Sequence, residues 1–259
     1  MRIIDTIHHM TIREINKTHG DALHAIAMNM VQIGVLVGGF YAMNVIMHQG
    51  SAPLRGDLLI YILSGVFLFQ VHVQAVSSGM RAEMPSSPIM AHAGLNSMIG
   101  LISAGLASLY QQMVSVAIIA GAYDIFYHPV LIDQPVRLAG LFLLAWASGL
   151  FVGMILFALR THSPSLASVA SQAYSRVNLL ASGQMFIAST LPAYMLKWFT
   201  WNPLFHIIDQ ARDAAFINYR SWFTTTSYPV YFCIAMLGVG TIAEWWARRS
   251  SSLSDMARL

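Results

Sequence analysis

The sequence predicts an all-α polytopic membrane protein. It has six transmembrane helices, an N-terminal interfacial amphipathic helix, and a short re-entrant-like helix between spans five and six. Three observations carry this. Of 259 residues, 56% are hydrophobic and only 10% charged, with a mean hydropathy of +0.59, where a soluble domain carries roughly a quarter charged residues. The apolar residues gather into stretches of about 20, the length a helix needs to cross a hydrocarbon core about 30 Å thick. Between them lie Pro-, Ser-, Asp- and Arg-rich segments such as Ser51-Ala-Pro-Leu-Arg55 and Pro85-Ser-Ser-Pro88. This composition excludes a disordered chain, a nucleic-acid binder and an ordinary soluble enzyme.

The elements follow in order. In residues 1–21, Ile3, Ile4, Ile7, Met10 and Ile15 fall on one helical arc, and Asp5, His9, Arg13, Asn16 and Lys17 fall opposite. That pattern suits a helix lying in the membrane interface. This polar start is not a cleavable signal peptide, so the first apolar run is expected to stay as a span. The six spans run over about 22–48, 58–79, 97–122, 138–159, 177–196 and 228–247. The fifth is diluted by Ser182, Gln184, Ser189 and Thr190. One membrane domain covers residues 1–259, with no internal repeat.

An even number of spans places both termini on one side. With the N-terminus inside, the cytoplasmic segments hold Arg2, Arg13, Lys17, Arg81, Arg160, Arg176, Arg248, Arg249 and Arg258. The outer segments hold Arg55, Arg137, Lys197, Arg212 and Arg220, and this asymmetry favours cytoplasmic termini. Within the six expected spans there is no Lys or Arg, and acids occur only at the margins, at Asp57 and Glu244. Ion-coupled carriers need ionisable groups at membrane depth. Active transport would therefore draw its energy from another subunit. Lys17 and Lys197 both lack the glycine-rich context of a nucleotide-binding loop, so any nucleotide belongs to a partner.

The polar residues inside the spans are uncharged: Asn29, Gln32, Gln70, Gln74, Gln111, Gln112, Ser115, Asn178, Ser182 and Gln184. Gln70 and Gln74 share a helical face, either lining a channel or bonding between helices. Gly34-Val-Leu-Val-Gly38 and Gly149-Leu-Phe-Val-Gly153 are small-xxx-small patterns that allow close helix approach. The ten histidines show no metal-ligand spacing, so no metal site is expected; a haem or metal site built from several spans is the alternative. Cys233, the single cysteine, reads as packing.

The most specific segment lies between the last two spans, residues 197–227. Asn202 suits an N-cap and Pro203 a first helical turn. Leu204, Ile207, Ile208, Ala211 and Ala215 then form an apolar face, with His206, Asp209, Arg212 and Asp213 largely opposite. Arg212 either meets an anion or pairs with Asp209 three residues earlier. Trp198, Trp201, Tyr219 and Trp222 add an interfacial aromatic belt, and Tyr41, Tyr61, Tyr123, Phe126 and Tyr127 fall near the same outer boundary.

This stretch resembles capsular polysaccharide export permeases, the membrane subunits of ABC transporters for polysaccharides and polyol phosphates. The resemblance rests on Trp201-Asn-Pro-Leu204, His206, Asp209, Arg212 and Tyr219, with weaker support from Arg13-Glu14 and Leu63-Ser-Gly65. It implies a non-catalytic homodimeric permease in a bacterial inner membrane, with ATP and Mg bound by a cytoplasmic partner subunit and no cofactor in this chain. The cargo would be a lipid-linked polysaccharide, handed on to periplasmic or outer-membrane export proteins. The loop 81–92, with Arg81, Glu83, Met84, Pro85, Pro88 and Ile89, would couple to the ATPase. Trp198, Trp201, Asn202, Pro203, His206, Asp209, Arg212 and Tyr219 would form a periplasmic gate touching the polymer. Gln70, Gln74, Tyr41 and Tyr61 would line the channel. Rival cargoes are an O-antigen, a teichoic-type polymer or a small lipophilic substrate. No nucleic acid is expected as a partner.

Overall fold

In the computed structural model, residues 3–17, 22–48, 57–84, 96–127, 129, 131–186 and 188–256 are described. They form nine α-helices and one 3-10 turn, with no strand among the described residues. We number the helices α1 (Ile3–Lys17), α2 (Ala22–His48), α3 (Leu58–Arg81), α4 (Ser97–Phe126), α5 (Pro135–His162), α6 (Pro164–Ala181), α7 (Ala193–Leu196), α8 (Pro203–Ala215) and α9 (Ser227–Met256). Their starts follow local chemistry. The Asp57 carboxylate accepts from the Leu59 N–H at 2.8 Å, and Asn96 does the same for Met98 at 3.3 Å. Proline occupies the first turn of α5, α6 and α8.

Among the described residues, five helices are long and apolar enough to cross a membrane: α2, α3, α4, α5 and α9. Of these α3 is the most buried and α2 the least. The centre of the bundle is the parallel crossing of α3 and α5, set by glycine. A Cβ at Gly149 would stand 2.3 Å from the His72 carbonyl oxygen, and one at Gly153 would stand 2.7 Å from that of Val76. The pattern Gly149–Gly153 is therefore a backbone contact surface. Gly34 and Gly38 on α2 have nothing within 4 Å. At the same crossing His72 is fully buried; its Nδ1 bonds Ser148 Oγ at 2.9 Å and its Nε2 meets the Tyr174 hydroxyl at 2.8 Å. Its ring is thus satisfied by protein partners, and no group of three or more His, Cys, Asp or Glu converges among the described residues.

The fifth expected span, 177–196, is not a single helix. Helix α6 begins right after α5, at Pro164, and stops at Ala181. There Gly183 takes a φ of 73°, which only glycine adopts freely, and the Phe205 ring fills the space that a side chain would need. The chain continues through the turn Ala188–Thr190 and the short α7 before α8 begins. Serine, glycine and proline at Ser182, Gly183 and Pro192 break the run that hydropathy alone joins. Helices α6 and α8 nonetheless follow each other in space. Ala167, near the start of α6, packs with Val76 and Met80 near the Arg81 end of α3. The last turn of α6 meets the first residues of α8 where Asn202 donates to Asn178 at 3.0 Å. Helix α8 then reaches the opposite end of the bundle, where the Ala214 carbonyl accepts from the Gln134 N–H at 2.9 Å.

Helix α1 packs along α4, burying Met10, while Ser103 donates to the Ile7 carbonyl at 3.3 Å. Ile3 and Ile4 stay exposed.

Candidate functional site

Beyond the His72 network, two larger polar assemblies sit inside this bundle. The first surrounds α8. Its apolar residues Leu204, Ile207, Ile208 and Ala211 enter a core with Phe69 of α3 and Leu141 of α5. The opposite face, expected to be polar and open, is buried too. His206 is 7% exposed, Asp209 2% and Arg212 1%. Arg212 does not pair with Asp209. Its guanidinium donates to the carbonyls of Gly183 (2.9 Å), Phe186 (2.7 Å) and Gln184 (2.9 Å) and lies 4.2 Å over the Tyr61 ring. The charge is held by peptide dipoles and an aromatic face. The chain break after α6 supplies those dipoles, because residues 183–186 are outside any helix and their carbonyls are free to turn inward.

Asp209 accepts from Ser221 and Thr224 hydroxyls at 2.8 Å each, and from the Tyr219 phenol. Burial, reinforced by the adjacent Asp209 carboxylate, pushes the Tyr219 phenol far above its ordinary value, so it keeps its proton and donates. His206 Nε2 donates to the Thr200 carbonyl at 2.9 Å, and Nδ1 accepts from the Thr225 N–H at 3.1 Å, which fixes the tautomer. These bonds clamp the connection 216–226 along α8. The clamp leaves Arg212 Nε and the Tyr61 hydroxyl buried without a hydrogen-bond partner among the described residues.

The second assembly is a cleft of about 510 Å³ bounded by four helices. Helix α2 contributes Met28, Asn29 and Gln32; α3 contributes Gln70, Val73, Gln74, Ser77 and Arg81. Gln111 of α4 closes one side, and α6 closes the other with Ser171, Gln172, Ser175 and Arg176. Amide bonds pin α2 in place: Gln70 and Gln74 both donate to Gln32 Oε1, at 3.1 and 3.0 Å. Asn29 donates to Ser115 at 2.8 Å and accepts from Gln112 at 3.0 Å. The lining holds two arginines and no carboxylate. It is a cationic, hydrogen-bonding surface recessed between α6 and three helices of membrane-crossing length.

No protein-family model matches this chain, and no curated protein sequence matches it.

The site residues expected from the sequence therefore divide. Gln70 and Gln74 line the cleft, whereas Tyr41 is on the exposed surface of α2 and Tyr61 lies buried beneath Arg212. Trp198 and Trp201 are exposed beside the start of α8, while Asn202, Pro203, His206, Asp209, Arg212 and Tyr219 are buried. Asn202 caps α8 as expected, accepting from the Leu204 N–H at 3.0 Å. Arg81 ends α3, Glu83 lies 3.6 Å from Arg13 of α1, and Met84 packs on the cluster around Ala82. Pro85, Pro88 and Ile89 lie outside the described residues.

Arg176 and its neighbours on α6 were missed as site residues, since they fall before the expected start of span five. A signal for them exists: Ser168, Ser171, Gln172, Ser175 and Arg176 recur at three- and four-residue intervals, one polar helical face.

Proposed function

We propose that this chain is the permease subunit of an ATP-driven exporter that moves a lipid-linked polysaccharide across a bacterial inner membrane. The observation that carries the reading is the polar cleft walled by α2, α3, α4 and α6. A recessed polar surface among membrane-crossing helices suits passage of a hydrophilic cargo. The discontinuous α6–α8 element supports it, since broken helices place backbone groups and helix ends at transport paths. In this reading α6 and α8 together make a two-part fifth span. The Arg81 end is cytoplasmic, because Arg13, Arg81, Arg160, Arg248 and Arg249 gather there.

The energy enters through a separate cytoplasmic subunit that binds ATP and Mg, docked at the residues after Arg81, where Glu83 meets Arg13 of α1. A second copy of the chain packs against α2, the least buried of the long helices, and completes the polymer path. The exposed Trp198 and Trp201 offer flat faces to sugar rings on the periplasmic side, and export proteins there receive the polymer.

The test is to purify the tagged chain in mild detergent, identify what accompanies it by mass spectrometry, and assay ATP hydrolysis. A stoichiometric P-loop partner with ATPase activity supports the reading. Charge reversal at Glu83 or a bulky residue at Met84 then abolishes export while leaving membrane insertion intact. A chain that exports normally with every residue from 81 to 92 substituted refutes the coupling assignment.

A further inference from the structure

Arg176 has a depth that neither its sequence position nor the proposed transport cycle accounts for. Its helix α6 runs antiparallel to α3, and two residues before it Tyr174 bonds His72 at 2.8 Å. At 1.5 Å per residue, His72 lies about 14 Å along α3 from Arg81. Arg176 is therefore close to halfway through a hydrocarbon core of about 30 Å. A guanidinium at that depth is costly unless it meets an opposite charge or water, and such residues mark ligand paths. Among the described residues, no hydrogen bond or ion pair reaches the side chain of Arg176 or Arg81. The cleft they share contains no Asp or Glu. Arg212, the other deep guanidinium, shows the contrast, with three carbonyls and an aromatic ring around it.

We infer that this cleft is a binding site for a phosphate-class anion, with Arg176 and Arg81 as its two cationic groups. The planar fork of each guanidinium matches phosphate oxygens in pairs. Ser77 on α3 and Gln111 on α4 line the same cleft as further hydrogen-bond donors, and neither side chain has a partner among the described residues. Met28 and Val73 line the same cleft and suit a hydrocarbon chain attached to the phosphate. A neutral sugar needs the amides but not two unpaired cations; a phosphate needs both. The inference deepens the exporter reading by naming the charged group of the cargo, and rests on that reading only for the cargo's identity. The binding site itself stands on the cleft.

The experiment uses the full-length chain in detergent, with native mass spectrometry as readout. The probes are phosphatidylglycerol, phosphatidylcholine and inorganic phosphate; the variants are R176Q, R176K and R81Q, with R220Q as a control outside the cleft. Retention of phosphatidylglycerol over phosphatidylcholine falls about tenfold in R176Q, survives largely in R176K, and is unchanged in R220Q. Displacement by millimolar inorganic phosphate alone assigns the site to the free ion, and resistance to it assigns the site to the lipid headgroup. Equal retention by the wild type and R176Q, or no preference for the anionic lipid, overturns the proposal. Arg176-dependent binding in a chain with no ATPase partner keeps the site and removes the exporter reading. An ATPase partner without Arg176-dependent binding does the reverse.

Discussion

Gly149→Ala tests the α3–α5 crossing directly. The new methyl carbon would lie 2.3 Å from the His72 carbonyl oxygen, 3.0 Å from the His72 carbonyl carbon and 3.1 Å from the Ala75 Cβ, where ordinary contact begins at 3.4 Å. The closest partner is main chain in the middle of a helix, so no rotamer change relieves the clash. The two helices must part by about 1 Å, and a radial gap of 0.5–1 Å already forfeits a quarter to a half of each contact's attraction. Overpacking of this kind costs about 3 kcal/mol at the upper end of its usual range. Alanine returns about 1 kcal/mol of helix propensity over glycine. The net loss is about 2 kcal/mol, or a melting temperature lower by roughly 4–8 °C for a chain of this size class. Gly34→Ala, on the open face of α2, gains the propensity and meets nothing, so the protein is as stable as wild type or more so. Fluorescence-detected thermal unfolding in detergent compares the two. Equal melting temperatures for G149A and G34A would refute the argument, since they would mean that α3 and α5 do not touch through that glycine.

The other predictions concern the polar assemblies and the aromatic rim. Arg212→Gln strands the carbonyls of Gly183, Gln184 and Phe186 in the core, at about 1–3 kcal/mol for each unsatisfied group. The yield of monodisperse protein collapses, and R212K, which keeps the charge but not the fork, recovers only part of it. Tyr219→Phe removes the phenol bonded to Asp209 and costs about 1–2 kcal/mol at neutral pH. The wild-type phenol is pushed above its unfolded value of about 10, so its contribution is intact below pH 10 and lost as the pH rises further. Alkaline unfolding curves of Y219F therefore lack one component of the wild-type decline; superimposable curves would contradict the burial of that hydroxyl. Asn202→Ala loses both the α8 cap and the tie to Asn178, and lowers the melting temperature by an amount equivalent to about 1–2 kcal/mol. Trp198→Ala and Trp201→Ala, at exposed positions, leave melting within about 0.5 kcal/mol of wild type. A transport defect in either variant would then mark contact with cargo.

Much of the helical framework was legible because its signals are local. The apolar runs of α2, α3, α4, α5 and α9 and the Asn202-Pro203 start of α8 depend on neighbours a few residues away, and each is where the sequence puts it. The fifth span was misread because a hydropathy window averages Leu179, Leu180 and Ala181 with Phe186 and Leu191, across the Gly183 turn that divides them. The two glycine patterns look alike in sequence, yet only Gly149–Gly153 meets another helix, since the partner is set by tertiary packing. Of the cleft, the amides Gln70 and Gln74 were visible as a shared face. The depth of Arg176 was not, because the serine-rich first half of α6 is polar enough to pass for a loop and only its packing on α3 and α5 carries it inward.

The carbonyl clamp on Arg212 has a consequence for how this protein can vary. Every oxygen it holds belongs to the main chain, so any amino acid at 184 or 186 offers the same acceptor. Drift at those two positions needs no matching change at 212, and change at 212 cannot be rescued by altering them. Among relatives, the interaction would show as an arginine that stays fixed beside neighbours that do not, with no paired substitutions between them. Methods that infer contacts from correlated changes would pass over a fully buried charge in the described bundle.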